Sequence, residues 1–200
     1  MKSKICLLAW TVGWGLFILA ACGKETAENA DFTKVDSLTE TYLGLQDTML
    51  QVWNTMLHDD NRKIKAMRHL IHELAISSPE KRDDLQDYEQ RLKDLQEMRY
   101  DQHSMSDAEL VTEYDFASNS LVAELIALAE SQKEFPYNST IQKLVDSIRA
   151  ADQRVLNYRQ EYDEVASRFN RFIEGNKNLL EDLEPDSFLE KKPLFQMAAE

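Results

Sequence analysis

Residues 141–172 read IQKLVDSIRAADQRVLNYRQEYDEVASRFNRF. Their apolar positions are Ile141, Leu144, Ile148, Ala151, Val155, Tyr158, Tyr162, Val165, Phe169 and Phe172, at steps of three and four that alternate without a break. On an α-helix that spacing places all ten on one seam. Arg149, Asp152, Arg154, Arg159, Glu161, Asp163 and Glu164 lie between them and suit water. Such a helix, about 32 residues long, spans about 48 Å and needs a partner along its whole length.

The rest of the chain supplies that partner. Ser37-Leu38-Thr39-Glu40 fits a capping box, and the seam Leu38, Tyr42, Leu45, Met49, Val52, Met56 follows it. The seam then turns polar at His58, Asp59, Asp60, Asn61, Arg62 and Lys63, and resumes at Ile64, Met67, Leu70 and Leu74. The spacing predicts a helix over 37–76 with a hydrophilic waist where it could break. Ser78-Pro79 predicts a restart, with Ser78 as N-cap and Pro at the first helical position. Leu85, Tyr88, Leu92 and Leu95 carry that second helix to about Tyr100. Ser106-Asp107-Ala108-Glu109 is a second capping box, opening a helix through Leu110, Tyr114, Ala117, Leu121, Leu125 and Leu128 that ends near Phe135-Pro136. Ser139-Thr140-Ile141-Gln142 opens the long helix, and Gly175 is its expected C-cap. No strand pattern competes. The expected fold is all-α: an antiparallel up-down four-helix bundle over residues 37–175. In the tail, 176–200, Pro185 and Pro193 prevent a long helix, so it should pack on the bundle in pieces or stay loose.

The first residues have another pattern. Lys2 and Lys4 form a basic start, and Ile5 to Leu19 is apolar over about 15 residues, short for a membrane span. Leu19-Ala20-Ala21-Cys22 follows and resembles the bacterial lipobox, in which small residues pass the signal peptidase and the cysteine thiol carries diacylglycerol. The alternative is an ordinary secretory signal, or a membrane anchor with a chance cysteine. The expectation is a lipoprotein signal peptide over 1–21, Cys22 carrying acyl chains such as palmitate, and a flexible tether over 22–36. Several acyl chains hold a protein on a membrane where one gives only marginal binding. Residue 23 is Gly, not the Asp that favours inner-membrane retention in enteric-type bacteria, which points to the outer membrane.

Composition agrees. Five Gly and four Pro among 200 residues suit a helix-rich chain. The formal charge of −13 disfavours nucleic acid and offers no polybasic patch to anionic lipid. The two cysteines, Cys6 and Cys22, provide neither a disulfide framework nor a zinc site.

Over about residues 40–197 the chain resembles the LemA family. The resemblance is carried by Asp152-Gln153-Arg154-Val155, Arg159, Tyr162-Asp163-Glu164-Val165 and Phe169-Asn170 in the long helix. Asn61-Arg62-Lys63 with Leu70-Ile71, the approach Phe135-Pro136 to Ile148, Asn178-Leu179-Leu180, and Lys191-Lys192-Pro193-Leu194-Phe195 add to it. Asp163 stands where the family has Asn, Lys63 where it has Arg, and Arg68 where it often has Pro, so the chain reads as a divergent member. The resemblance implies a helical bundle attached to a membrane at its N-terminus, and no established enzymatic activity.

Candidate sites are few. His69 and His72, with Glu73, have the spacing to share a metal on one helix face, but no third ligand has a diagnostic spacing and surface histidines are the simpler reading. Glu97 or Asp101 could complete such a site only across helices. Asp59-Asp60 and Asp83-Asp84 lack calcium-loop spacing and read as solvated faces. Tyr158 and Tyr162 are core residues first, with hydroxyls needing partners. Arg62, Arg154 and Arg159 occupy matched family positions, and either pair with the acidic helix faces or hold a partner's carboxylates. Asn138-Ser139-Thr140 is a glycosylation sequon, discounted because a lipobox implies a bacterium and the segment is expected to cap a helix. There is no nucleophile elbow, phosphate loop or spare thiol. The expected function is therefore a lipid-anchored, non-enzymatic envelope scaffold or adaptor, with no cofactor, metal or small-molecule substrate, and with envelope proteins as partners. The rivals are an envelope holdase and a metal-dependent enzyme at His69 and His72.

Overall fold

A computed structural model describes residues 27–79, 82–183 and 189–195. The expected signal peptide and Cys22 lie outside the described residues. Among the described residues there are five α-helices: α1 Ala27–Ser77, α2 Arg82–Glu97, α3 Ala108–Glu130, α4 Ser139–Gly175 and α5 Lys177–Leu183. The described residues contain no strand. The chain divides into two units, residues 1–41 and 42–200.

In the first unit, helix begins at Ala27, inside the segment expected to be a flexible tether. Ser37 is not a cap. Its carbonyl accepts from the Thr41 hydroxyl at 2.8 Å, and the Thr39 hydroxyl donates to the Val35 carbonyl at 3.1 Å. Extending a helix already begun costs no new nucleus, so the capping-box pattern loses to propagation.

In the second unit, α1 passes through the waist at 58–63 without a break. Its apolar face buries Met49, Val52, Trp53 and Met56 before the waist, and Ile64, Met67, Leu70, Ile71 and Leu74 after it. Leu85, Leu92 and Leu95 of α2 join them, with Val111, Tyr114, Leu121, Val122 and Leu125 of α3 and Ile141, Val145 and Ile148 of α4. Each fully buried aliphatic side chain contributes roughly 1.5–3 kcal/mol before chain entropy is counted. Pairs between α1 and α4 run in opposite order along the two helices: Tyr42 with Phe169, Trp53 with Tyr162, Asp59 with Arg154, Lys63 with Asp152. α3 and α4 likewise pair Asp115 with Arg159 and Glu130 with Arg149. Between α1 and α3 the order is the same: Lys63 with Ser118, then Ser78 with Gln132.

The helix ends differ from expectation by small, explicable shifts. Asp107, not Ser106, caps α3, accepting from Glu109 and Leu110 amides at 3.0 and 3.3 Å. Asn138, not Ser139, caps α4, accepting from Thr140 and Ile141 amides, both at 3.1 Å. In each case the capping oxygen is a carboxylate or amide oxygen next to the serine of the expected pattern, and at α3 its charge also meets the positive helix end. Ser78 is buried and donates to Gln132 Oε1 at 2.9 Å, so its hydroxyl ties two loops instead of capping α2. α3 ends at Glu130, short of Phe135-Pro136, which form a separate 3-10 turn. Gly175 is the last helical residue of α4, and Asn176 is the C-cap, its side-chain amide donating to the Phe172 carbonyl at 2.9 Å.

Candidate functional site

The most unusual part of the second unit is the waist of α1. Asp59, Asp60 and Lys63 are 6, 9 and 3% exposed, not the solvated face that their charge suggests. A helix turn that buries three charges must find partners for each, because an unpaired buried charge is costly. Here the partners come from three directions. The Arg154 guanidinium of α4 clasps Asp59 through Nε at 2.9 Å and Nη2 at 2.7 Å. Arg99, just past α2, reaches Asp60 through Nε at 3.1 Å and Nη2, and donates to Asn61 Oδ1 at 2.9 Å. The Tyr114 hydroxyl of α3 donates to Asp60 Oδ2 at 2.9 Å. Lys63 Nζ lies 3.0 Å from Ser118 Oγ, 3.4 Å from Asp152 Oδ1 and 3.5 Å from Asp60 Oδ1.

Beside this cluster, Arg159 of α4 forms a fork with Asp115 of α3, both contacts at 2.6 Å, and donates to the Tyr100 hydroxyl at 2.8 Å. A small cavity of about 50 Å³ lies among Asp60, Lys63, Arg99, Asp115, Asp152 and Arg159. That is room for water-sized occupants. The electrostatics follow the geometry. Burial opposes the Arg159 charge, but the hydrogen bonds to Asp115 and Tyr100 override it and hold its pKa above the ordinary guanidinium range. Burial likewise opposes Arg99, and Asp60 overrides it. Burial pushes the Tyr114 hydroxyl up, and neighbouring Asp60 pushes it further. The two guanidinium groups therefore stay charged, and the Tyr114 hydroxyl neutral, across the physiological range. The chemistry of the cluster is that of a fixed, nearly charge-balanced brace among α1, α3 and α4.

The second feature lies along α4, where the tail returns. Asn170 holds the Lys192 backbone on both sides, Nδ2 donating to its carbonyl at 2.8 Å and Oδ1 accepting from its amide at 2.7 Å. Asp163 Oδ1 accepts from the Phe195 amide at 2.8 Å. The Phe195 ring stacks on Trp53 with centroids 6.3 Å apart and 12° between planes, and meets Tyr162 edge-on at 5.6 Å. The Arg159 guanidinium carbon lies 4.8 Å from its centroid. Tyr162 is fully buried, and its hydroxyl has no hydrogen-bond partner among the described residues. Burial, then the Asp163 charge, raises its pKa to about 12.

The residues singled out from sequence are dispersed. Arg62 is exposed, 3.9 Å from Asp59, while Arg154 and Arg159 point into intrachain pairs, so the three do not make one exposed surface. Tyr158 is half-buried against the core. His69 and His72 are exposed and line a shallow depression with Glu73, Thr140 and Leu144, without Glu97 or Asp101. Asp101 instead closes its own turn: hydrogen bonds from Ser104, backbone then hydroxyl, and the His103 amide hold its carboxyl below the usual range. Asp83 and Asp84 are in the first turn of α2, where anions suit the helix end. Among the described residues no group of three or more His, Cys, Asp or Glu is placed to hold a metal ion. Sequence reasoning gave Lys63, Asp152 and Phe195 no part in a site, and passed over Asp115 and Trp53 altogether. The available signal was the interruption of an otherwise regular seam at 58–63: a polar turn within a buried stripe requires either a break or buried counter-ions. Comparison with protein-family models, characterised proteins and solved structures finds no match to this chain.

Proposed function

We propose that the chain is a lipid-anchored, non-enzymatic protein of the LemA-like type, acting as a scaffold or adaptor at a bacterial envelope membrane. The observation that carries this reading is Leu19-Ala20-Ala21-Cys22 behind a basic and then apolar start. In this reading Cys22 is the attachment point and the outer membrane its site. No helix among the described residues is long and apolar enough to cross a membrane. The helices form an antiparallel up-down four-helix bundle, a reading supported by the opposite order of pairs along α1 and α4 and along α3 and α4. The buried brace suits such a role, because ion pairs with one geometric solution fix helix register and give a partner a single surface to meet.

The test is fractionation of cells making the Cys22→Ala protein, with labelled palmitate supplied to the unaltered protein. The variant should move from membranes to the soluble fraction, and only the unaltered chain should take up label. Retention of the variant in membranes, with no label on the unaltered chain, would sink the anchoring claim.

A further inference from the structure

Beyond membrane attachment, and independently of it, the tail contacts have the form of a bound peptide. We propose that the channel beside α4 that holds Lys191–Phe195 is a peptide-binding groove, occupied here by the chain's own tail, and that it takes an extended partner segment of the same chemistry: a basic residue, a proline, an apolar residue and an aromatic.

The backbone contacts carry the first part. A side-chain amide that both donates to and accepts from one residue's backbone, as Asn170 does with Lys192, recognises a peptide without regard to its side chain. Asp163 holds the Phe195 amide through its carboxylate, again at the backbone. The two clamps stand seven residues apart on α4, about 10.5 Å along its axis. The backbone sites they hold are three residues apart, with a full reach of about 10–11 Å. The tail therefore crosses α4 close to full extension and in the opposite direction. It contains no regular secondary structure from 189 to 194, so its donors and acceptors depend on what the groove supplies.

The side chains carry the specificity. The aromatic site takes Phe195 between Trp53, Tyr162 and the Arg159 guanidinium. Lys191 pairs with Glu174, and Lys192 Nζ lies 5.9 Å from the Phe169 centroid. A chain of formal charge −13 favours an occupant that leads with cations. Pro193 has no amide hydrogen to satisfy and limits what the free segment loses on ordering.

The experiment uses the purified full-length chain with Pro193→Ser, Leu194→Ser and Phe195→Ser, which empties the aromatic site. The probe is a fluorescent peptide, Leu-Glu-Lys-Lys-Pro-Leu-Phe, read by anisotropy. It should bind saturably, at least about tenfold tighter than to the unaltered chain, because a tethered tail competes at roughly millimolar effective concentration. Adding Asn170→Ala should weaken binding about tenfold or more, and so should Ala in place of the peptide's Phe. Absence of saturable binding to a variant with native circular dichroism would overturn the proposal, as would binding indifferent to both changes. If the triple variant fails to fold, Phe195→Ala alone supports the same comparison, with the same outcomes for and against. An unaltered chain that sediments as a dimer, and becomes monomeric with the triple substitution, would assign the groove to a second copy's tail and also overturn the partner reading.

Discussion

Asp60→Asn tests whether the waist of α1 is held by charge. The substitution keeps the shape of the side chain and removes its anion. Tyr114 can still donate to the remaining oxygen, but Arg99 and Lys63 both lose a counter-ion. Breaking a fully buried pair costs about 3–5 kcal/mol. Two features lower that figure. The Arg99 side chain is 25% exposed and can regain some water. Lys63 keeps Ser118 and Asp152, the latter 35% exposed. A loss of about 2–3 kcal/mol remains, at or just below the lower end of the buried-pair range. The measurement is urea unfolding followed by far-UV circular dichroism, where the midpoint should fall with the slope unchanged. Lys63→Met in the Asp60→Asn background should recover about 1 kcal/mol or more, because it removes a buried cation left with only the partly exposed Asp152 as counter-ion. A loss below about 0.5 kcal/mol for Asp60→Asn, or simple additivity in the double variant, would show that the cluster is hydrated and not a brace.

Tyr162→Phe should stabilise the chain by about 1 kcal/mol, since its hydroxyl is buried without a partner among the described residues; a clear loss in the same unfolding experiment would mean that the hydroxyl is satisfied in solution. Asn138→Ala and Asp107→Ala should each cost about 1 kcal/mol, and Ser139→Ala and Ser106→Ala much less, so thermal melts of the four variants locate the two caps. Glu124, clasped by Arg91 and bonded by Ser120, has its pKa lowered from 4.5 to about 2. A depressed carboxyl pKa gives stability that is present above 4.5 and lost as pH falls toward 2. Glu124→Gln should therefore narrow its deficit over that window, and the deficit at neutral pH should stay below about 1 kcal/mol because the side chain is 42% exposed.

The apolar seams were legible because burial of a helix stripe needs only a period, and a period is local. Ile141, Ile148, Val165 and Phe169 are buried as their spacing predicts. Val155 and Tyr158, on the same stripe, are only half-buried, and the reason is not local. They lie within the stretch where Arg154 turns to Asp59 and Arg159 to Asp115, and where the small cavity interrupts the packing. The burial of Asp59 and Lys63 depends mainly on residues 55–95 positions away in the chain, so a window of sequence around them does not contain their full justification. The same holds for the tail. Asn170 looks like a polar residue on a helix surface until Lys192 comes back across it. The charged and polar residues singled out on α4 thus divide by what they do here. Arg154 and Arg159 brace helices to one another, and Asn170 and Asp163 bind backbone. A helix-surface pattern that braces needs only the chain itself. A pattern that binds backbone can serve any segment able to compete with the tail, so the distinction between a self-contained bundle and an adaptor rests on the Asn170–Asp163 groove, not on the long seam beneath it.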